Sequence, residues 1–163
     1  MKYDRIFFLC QDNTNLSPMA ENLFIELYQG LPINVTSRGL VAPYSAPCNP
    51  KTELILEKHG IPMVSLVTRE LREEELTESS LVIAMSAAVR NRFHSRYPHI
   101  AVCTLAALAG EERDLTDPYG GNLMDYERCF QEMSRMMKKA AERLAEAVAS
   151  QTGVWNGPGL FEE

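Results

Sequence analysis

The chain of 163 residues lacks long apolar runs and has no excess of basic residues. No apolar segment approaches the ~20 residues that a membrane-spanning helix needs, and the N-terminus shows no signal-peptide pattern. The formal net charge of −6 argues against nonspecific nucleic-acid binding, because that binding needs a basic face. We therefore expect a cytoplasmic protein with no membrane or nucleic-acid partner.

Patterns for metal sites and disulfides are also missing. The four cysteines are scattered without a C-x-x-C pair, and the three histidines show no ligand spacing. Cys103 and Cys129 are expected to be small buried side chains, and Cys48 to be a free thiol in a Pro-rich loop. Only Cys10 ends an apolar strand at a turn into a helix. The sequence predicts no metal and no cofactor.

Short apolar runs alternate along the chain with helix-forming segments. The sequence predicts strands at residues 5–9, 33–37, 81–85 and 100–105. It also predicts four helices: two that begin near Ser17 and Asn49, and two that cover residues 87–97 and 123–149. This alternation is typical of a parallel sheet with helices on both faces, a doubly wound α/β fold. Residues 1–150 are predicted to form one domain, and residues 151–163, rich in Gly and Pro, a loose C-terminal tail.

Two helices carry informative patterns. Ser17 is predicted to cap the first helix, with Pro18 at the first helical position, Glu21 in the first turn, and Gly30 and Pro32 ending it. The long C-terminal helix has apolar residues at spacings of three and four. These predict a stripe that faces the core: Tyr126, Phe130, Met133, Met137, Ala140 and Leu144.

The loop after the first strand has the layout of an oxyanion site beneath a thiol. The N-terminus of a helix lowers the pKa of a cysteine beside it, which makes Cys10 a candidate nucleophile. The loop from Gln11 to Leu16 is expected to present backbone N–H groups to an anion, assisted by the helix dipole. Ser17 is placed to donate its hydroxyl to the sulfur and stabilise it as a leaving group.

A second polar segment, Asp117-Pro118-Tyr119-Gly120-Gly121, follows the fourth strand. The carboxyl ends of parallel strands lie at one edge of a sheet, so Asp117 is expected near Cys10. A carboxyl there can protonate a departing oxygen and later activate water. Taken alone, the segment is equally well explained as a set of turns.

Taken together, the two segments resemble those of the low-molecular-weight protein tyrosine phosphatases. The resemblance extends to about Ala149. It implies a flavodoxin-like three-layer αβα fold with a four-stranded parallel sheet, and a phosphocysteine mechanism without metal. The matching residues are Cys10, Asn13, Ser17-Pro18-Met19-Ala20-Glu21, Ser37-x-Gly39, His59-Gly60-Ile61 and Asp117-Pro118-x-Gly120.

The resemblance also implies a role for each matching site residue. Cys10 would attack phosphorus, Asp117 would act as acid and then as base, and Asn13 would brace the loop. Tyr119 would wall the pocket, and Tyr44 lies near the position of a second aromatic wall residue. The implied ligand is a phosphorylated protein or a small phosphate or oxyanion.

The loop itself departs from the family pattern C-x-G-N-x-C-R-S. Leu16 stands where the family has arginine, and Asn15 replaces a second cysteine. Asp12 replaces glycine, and its carboxylate would repel phosphate unless it points outward. Thr14 resembles the residue found there in the arginine phosphatases of the family.

The missing arginine is the most consequential of these departures. In the family, its guanidinium grips phosphate with two charge-assisted hydrogen bonds and stabilises charge in the transition state. Losing one preorganised donor typically costs ~3–4 kcal/mol, or ~10²–10³ in rate. We therefore expect turnover at least ~10²-fold below that of an intact member. Arg38 is considered as a replacement on the pocket wall, although a solvated Arg38 is the favoured alternative.

Three functional hypotheses follow from the sequence. The first is a family member with little or no turnover and a binding or regulatory role. The second is a slow or altered cysteine-dependent hydrolase of tyrosine or arginine phosphate. The third is a thiol redox protein like the arsenate reductases that share the fold, although no cysteine occupies an obvious resolving position.

Overall fold

The computed structural model of the chain describes residues 3–28 and 33–149. Its sheet contains four strands, β1 (Arg5–Cys10), β2 (Asn34–Gly39), β3 (Ser80–Ala84) and β4 (Ala101–Thr104). All neighbouring strands pair in parallel, in the order β2-β1-β3-β4. The predicted α/β fold with a four-stranded parallel sheet is confirmed.

The helices cover both faces of this sheet. They are α1 (Leu16–Leu27), α2 (Pro50–Lys58), α3 (Ala87–Arg96), α4 (Leu105–Leu108) and α5 (Leu123–Ala149), together with a 3₁₀ turn at Glu73–Glu75. α1 and α5 pack on one face and α3 on the other. In this strand order the direction of winding reverses between β1 and β3, which is where ligands bind in doubly wound sheets. The loop that leaves β1 lies at this point.

Two cores follow from the alternation of side chains along β1. Ile6, Phe8 and Cys10 face the larger core, which contains α1 and α5, whereas Phe7 and Leu9 face the smaller core beneath α3. The predicted α5 stripe is confirmed, because each of its members is at most 5% exposed. The stripe consists of Tyr126, Phe130, Met133, Met137, Ala140 and Leu144.

The predicted start of α1 is wrong by two residues. The helix begins at Leu16, and Asn15 rather than Ser17 occupies the N-cap position without making a side-chain cap bond. Ser17 lies inside the first turn, where its hydroxyl serves the cysteine loop. Pro18 is the third helical residue, a place that tolerates proline because first-turn N–H groups have no intrahelical acceptor. Glu21 lies beyond the first turn and is buried.

Some predicted features lie outside the described residues. These are the helix-ending Gly30 and Pro32 and the predicted C-terminal tail at 151–163. Within residues 3–28 and 33–149, no helix is both long and apolar enough to cross a membrane.

The burial of the α5 methionines predicts a clear contrast in stability. Met133 is fully buried, whereas Met124, on the same helix, is 73% exposed. We expect Met133→Ala to lower the free energy of unfolding by about 2–5 kcal/mol, because it leaves a cavity in the larger core. The matched control Met124→Ala should change it by no more than about 0.5 kcal/mol. Urea denaturation measures both values, and equal losses would contradict the packing described.

Candidate active site

Cys10 is the last residue of β1, and its thiol lies against the first turn of α1. The Cys10 Sγ and Ser17 Oγ atoms are 2.9 Å apart, and either can donate the hydrogen bond. Burial raises the pKa of Cys10 above its ordinary value, and the charge of Asp12 raises it further. Hydrogen bonds from the Ser17 side chain and backbone and from the Asn13 backbone act in the opposite direction.

Asn13 braces the loop from inside. Its backbone adopts a left-handed conformation with φ of 60°, and its side chain is 1% exposed. The amide nitrogen donates to Ser17 Oγ at 2.9 Å and to Ser37 Oγ at 3.0 Å, and the amide oxygen accepts from the Arg69 backbone N–H at 2.9 Å. One side chain thus joins the loop to α1, to β2 and to the segment after α2. These are the bracing contacts that the family resemblance implies.

Gly39 allows β2 to approach the loop closely. A Cβ atom at this position would lie 2.8 Å from the Asp12 carbonyl carbon and 2.9 Å from the Asn13 backbone nitrogen. The strand register pairs Gly39 with Cys10, and the N–H of Leu40 donates to the Cys10 carbonyl at 2.9 Å. Any larger residue would therefore displace the backbone of the loop.

On the outer side of the loop, one backbone N–H already donates to a side chain of the loop itself. Asp12 Oδ1 accepts from the Thr14 backbone N–H at 3.1 Å and from the Thr14 hydroxyl at 2.7 Å. The Thr14 N–H is therefore not free to bind an anion in this conformation. Asp12 is exposed, and its charge acts on Cys10.

Leu16 is part of the hydrophobic core. It is 7% exposed and belongs to the cluster formed by α1, α5 and one face of the sheet. Its side chain contributes neither a donor nor a charge to the loop. The position at which the family pattern has arginine is thus occupied by a packing residue.

Asp117 lies against the cysteine loop, as expected from the topology. Asp117 Oδ1 accepts from the Asn15 side-chain amide at 2.9 Å and from the Tyr119 backbone N–H at 3.0 Å. Asn15 is 1% exposed, and its amide oxygen accepts a hydrogen bond from the Thr52 hydroxyl of α2. These contacts join the two predicted site segments, although they are far apart in sequence.

The two tyrosines predicted to wall the pocket are both on the surface. Tyr119 is 80% exposed and, with Asp117, lines a cavity of about 410 Å³ beside α5. Tyr44 is 83% exposed on the segment after β2, where its carbonyl accepts from the Thr68 hydroxyl at 3.3 Å. Tyr119 thus borders the Asp117 side of the site, and the wall role of Tyr44 stays a prediction.

Arg38 does not contribute to the loop, so its prediction as a wall residue and replacement cation is wrong. Because side chains alternate along β2, Ser37 faces α1 and Arg38 faces the opposite side of the sheet. The Arg38 guanidinium donates to the Glu75 carboxylate, with a shortest distance of 2.7 Å, and lies 5.8 Å from the centre of the Phe7 ring. Its side chain is 12% exposed, so the solvated alternative is also wrong.

A different arginine lies near the loop. Arg92 of α3 donates from Nη1 to the side-chain oxygen of Gln11 at 2.5 Å. Both side chains are exposed, so this cation lies at the rim rather than over the sulfur. The Arg-rich composition of the third helix was the available signal, but composition alone does not tell which helical face meets the loop.

Two other cysteines border the site, because the Cys48 thiol donates to the Asn13 carbonyl at 3.7 Å and Cys129 lines the cavity beside Asp117. Cys103 and Cys129 are buried in the core as predicted, and burial raises the pKa of each to about 12. Cys48 is also buried, and burial raises its pKa to about 11. In residues 3–28 and 33–149, no group of three or more His, Cys, Asp or Glu side chains is placed to hold a metal ion.

Comparison with known proteins agrees with this geometry. The family model for low molecular weight phosphotyrosine protein phosphatase matches residues 5–151. A protein-arginine-phosphatase of Bacillus subtilis is 32% identical over 145 residues, covering 85% of this chain and 95% of that protein. The low molecular weight protein-tyrosine-phosphatase PtpB of Staphylococcus haemolyticus is 29% identical over 136 residues, covering 83% and 96%.

A solved structure gives the same result. The crystal structure of a low molecular weight protein tyrosine phosphatase from T. tengcongensis superposes with a TM-score of 0.77 at 34% identity, covering 85% of this chain and 97% of the other. The chain belongs to the low molecular weight phosphotyrosine protein phosphatase family.

The position of Asp12 predicts a measurable effect on the thiol. Asp12→Asn removes the charge but keeps an oxygen that can accept from Thr14, so we expect the pKa of Cys10 to fall. Alkylation by iodoacetamide at pH 7 should become about two- to fivefold faster, the size expected for one exposed charge. Cys10→Ser provides the blank, which subtracts labelling of the three other free cysteines.

The matched control for this experiment is Asp4→Asn. Asp4 is an exposed carboxylate that precedes β1, at the edge of the sheet opposite the loop. It should leave the alkylation rate unchanged. An unchanged or slower rate in Asp12→Asn would show that the Asp12 charge does not act on the sulfur.

Proposed function

We propose that this protein is a cysteine-dependent phosphatase with strongly reduced turnover, acting on phosphorylated proteins. The observation that carries the proposal is a retained nucleophile and acid combined with Leu16 at the arginine position. The Cys10–Ser17 hydrogen bond and the contact of Asp117 with Asn15 of the loop support these roles. What is lost is the group that stabilises charge on the transferring phosphoryl. A cytoplasmic location stays a prediction.

The proposed reaction has two steps. Cys10 Sγ attacks phosphorus, the bond from phosphorus to the leaving atom breaks, and that atom takes a proton from Asp117. The Asp117 carboxylate then removes a proton from water, which attacks phosphorus and releases phosphate and the cysteine sulfur. Ser17 Oγ, at 2.9 Å from Sγ, stabilises the departing thiolate.

The regulatory hypothesis gains no support from this loop. A protein that holds a phosphorylated partner without hydrolysing it needs tight phosphate binding, and the same guanidinium supplies much of that affinity. With Leu16 in the core and the Thr14 N–H bonded to Asp12, the loop has fewer donors for an anion. The redox hypothesis lacks a resolving cysteine within the loop, where Asn15 replaces the second cysteine of the family pattern.

Arginine phosphate is the second candidate substrate beside tyrosine phosphate. The relative from Bacillus subtilis is named a protein-arginine-phosphatase. Two carboxylates, Asp12 and Asp117, are exposed at the loop and offer a favourable surface for the guanidinium of such a substrate. Arginine phosphate would also bring a cationic group to a site that has lost its own.

Restoring the arginine provides the direct test of the proposed function. We expect Leu16→Arg to raise kcat/KM for p-nitrophenyl phosphate by about 10²-fold or more, because it returns the missing guanidinium. Residual turnover of the wild type and all turnover of the variant should disappear with Cys10→Ser. The matched control Leu23→Arg places the same charge on α1 at another buried position.

The same proteins should be assayed with phosphoarginine. If the ratio of wild-type to Leu16→Arg activity is higher on phosphoarginine than on p-nitrophenyl phosphate, arginine phosphate is the favoured substrate. Wild-type turnover at the level of Leu16→Arg on both substrates would contradict the proposal, since another group would then perform the task of the arginine.

A further inference from the structure

Asn15 holds the carboxyl group of Asp117 by a contact that its sequence position does not reveal. The Asn15 side-chain nitrogen donates to Asp117 Oδ1 at 2.9 Å, across 102 positions of sequence. Asn15 is 1% exposed, whereas Asp117 is on the surface. A buried donor of fixed position therefore bonds to an exposed carboxylate whose Oδ1 also accepts from the Tyr119 backbone N–H.

The orientation of the Asn15 amide is itself fixed by α2. Thr52, which is fully buried in the first turn of this helix, donates its hydroxyl proton to Asn15 Oδ1. Because the oxygen of the amide is engaged there, its nitrogen must face Asp117. The reversed amide would place two oxygens against each other at Asp117, which is unfavourable. The three side chains form one ordered chain from Thr52 to Asn15 to Asp117.

Both hydrogen bonds to the Asp117 carboxylate reach the same oxygen. Oδ1 accepts from Asn15 and from the Tyr119 backbone N–H, whereas Oδ2 has no hydrogen-bond donor among the described residues. A carboxylic acid held in this way carries its proton on the oxygen without donors. The chain of contacts thus selects Oδ2 as the atom that exchanges a proton with substrate.

We propose that Asn15, oriented by Thr52, is a positioning residue that holds Asp117 so that Oδ2 faces the reacting group. This inference rests on the proposed function, in which Asp117 protonates the leaving atom. Oδ2 gives its proton to the ester oxygen as the bond between phosphorus and that oxygen breaks and the bond from sulfur to phosphorus forms. Asn15 itself touches neither the sulfur nor the phosphoryl group in this role.

Leaving-group dependence separates positioning of the acid from simple loss of structure. Phenyl phosphate needs its leaving oxygen protonated, whereas p-nitrophenyl phosphate departs readily without a proton. We expect Asn15→Leu and Thr52→Val to lower kcat/KM, which reports the transfer step alone, by about tenfold or more for phenyl phosphate but by at most about threefold for p-nitrophenyl phosphate. Thr52→Ser keeps the hydroxyl donor and should restore the wild-type ratio of the two rates.

The kinetic comparison is made in the wild type and again with Leu16→Arg present, so that low turnover does not obscure it. Asp117→Ala provides the reference for complete loss of the acid. Equal losses on the two substrates would overturn the inference, because general damage to the loop affects both reactions alike. An unchanged ratio in Thr52→Val would also overturn it.

A measurement without turnover distinguishes failure of this inference from failure of the proposed function. The side-chain amide protons of Asn15 should exchange slowly with water in nuclear magnetic resonance spectra. They should exchange faster in Thr52→Val and shift in Asp117→Ala. If these signals respond but neither substrate is hydrolysed, the contacts exist and the phosphatase proposal fails. If the signals do not respond to Asp117→Ala, the positioning role is contradicted whatever the activity.

Discussion

The site depends on the Asn13 side chain, which fixes the backbone of the loop in a conformation that few residues other than glycine adopt. Its amide binds Ser17 on α1 and Ser37 on β2, and it accepts from the Arg69 backbone. A buried amide with all these partners is stable only if the surrounding elements keep their positions. The loop is therefore preorganised by neutral hydrogen bonds, and this preorganisation persists without the charge that the family pattern places at position 16.

Shape and charge are thus separable in this fold. The sheet places the loop where the winding reverses, Gly39 allows the close approach of β2, and Asn15 ties Asp117 to the loop. These features come from packing and hydrogen bonding. The side chain at position 16 packs in the core and supplies no charge, so under the proposed function the loop depends on its backbone N–H groups to hold an anion. The negative charge of Asp12 further disfavours a bound anion.

The sequence was sufficient for the fold and for the meeting of the cysteine loop with the Asp117 segment, because alternating strands and helices fix which loops share one edge of the sheet. It was not sufficient to predict the orientation of the Arg38 side chain, which depends on strand register and on Glu75. It also misplaced the helix start, because Ser17 has the chemistry of an N-cap but serves the sulfur instead. The role of Asn15 depends on a partner 102 positions away, which no local pattern reveals.

We propose that the loop keeps its shape but binds an oxyanion only weakly. Calorimetric titration with inorganic phosphate, comparing the wild type with Leu16→Arg, tests this claim without requiring turnover. The account predicts that the wild type binds at least about 10²-fold more weakly, because charge-assisted donors dominate phosphate recognition. Equal affinity of the two proteins would contradict it and would show that the arginine is not what this site lacks.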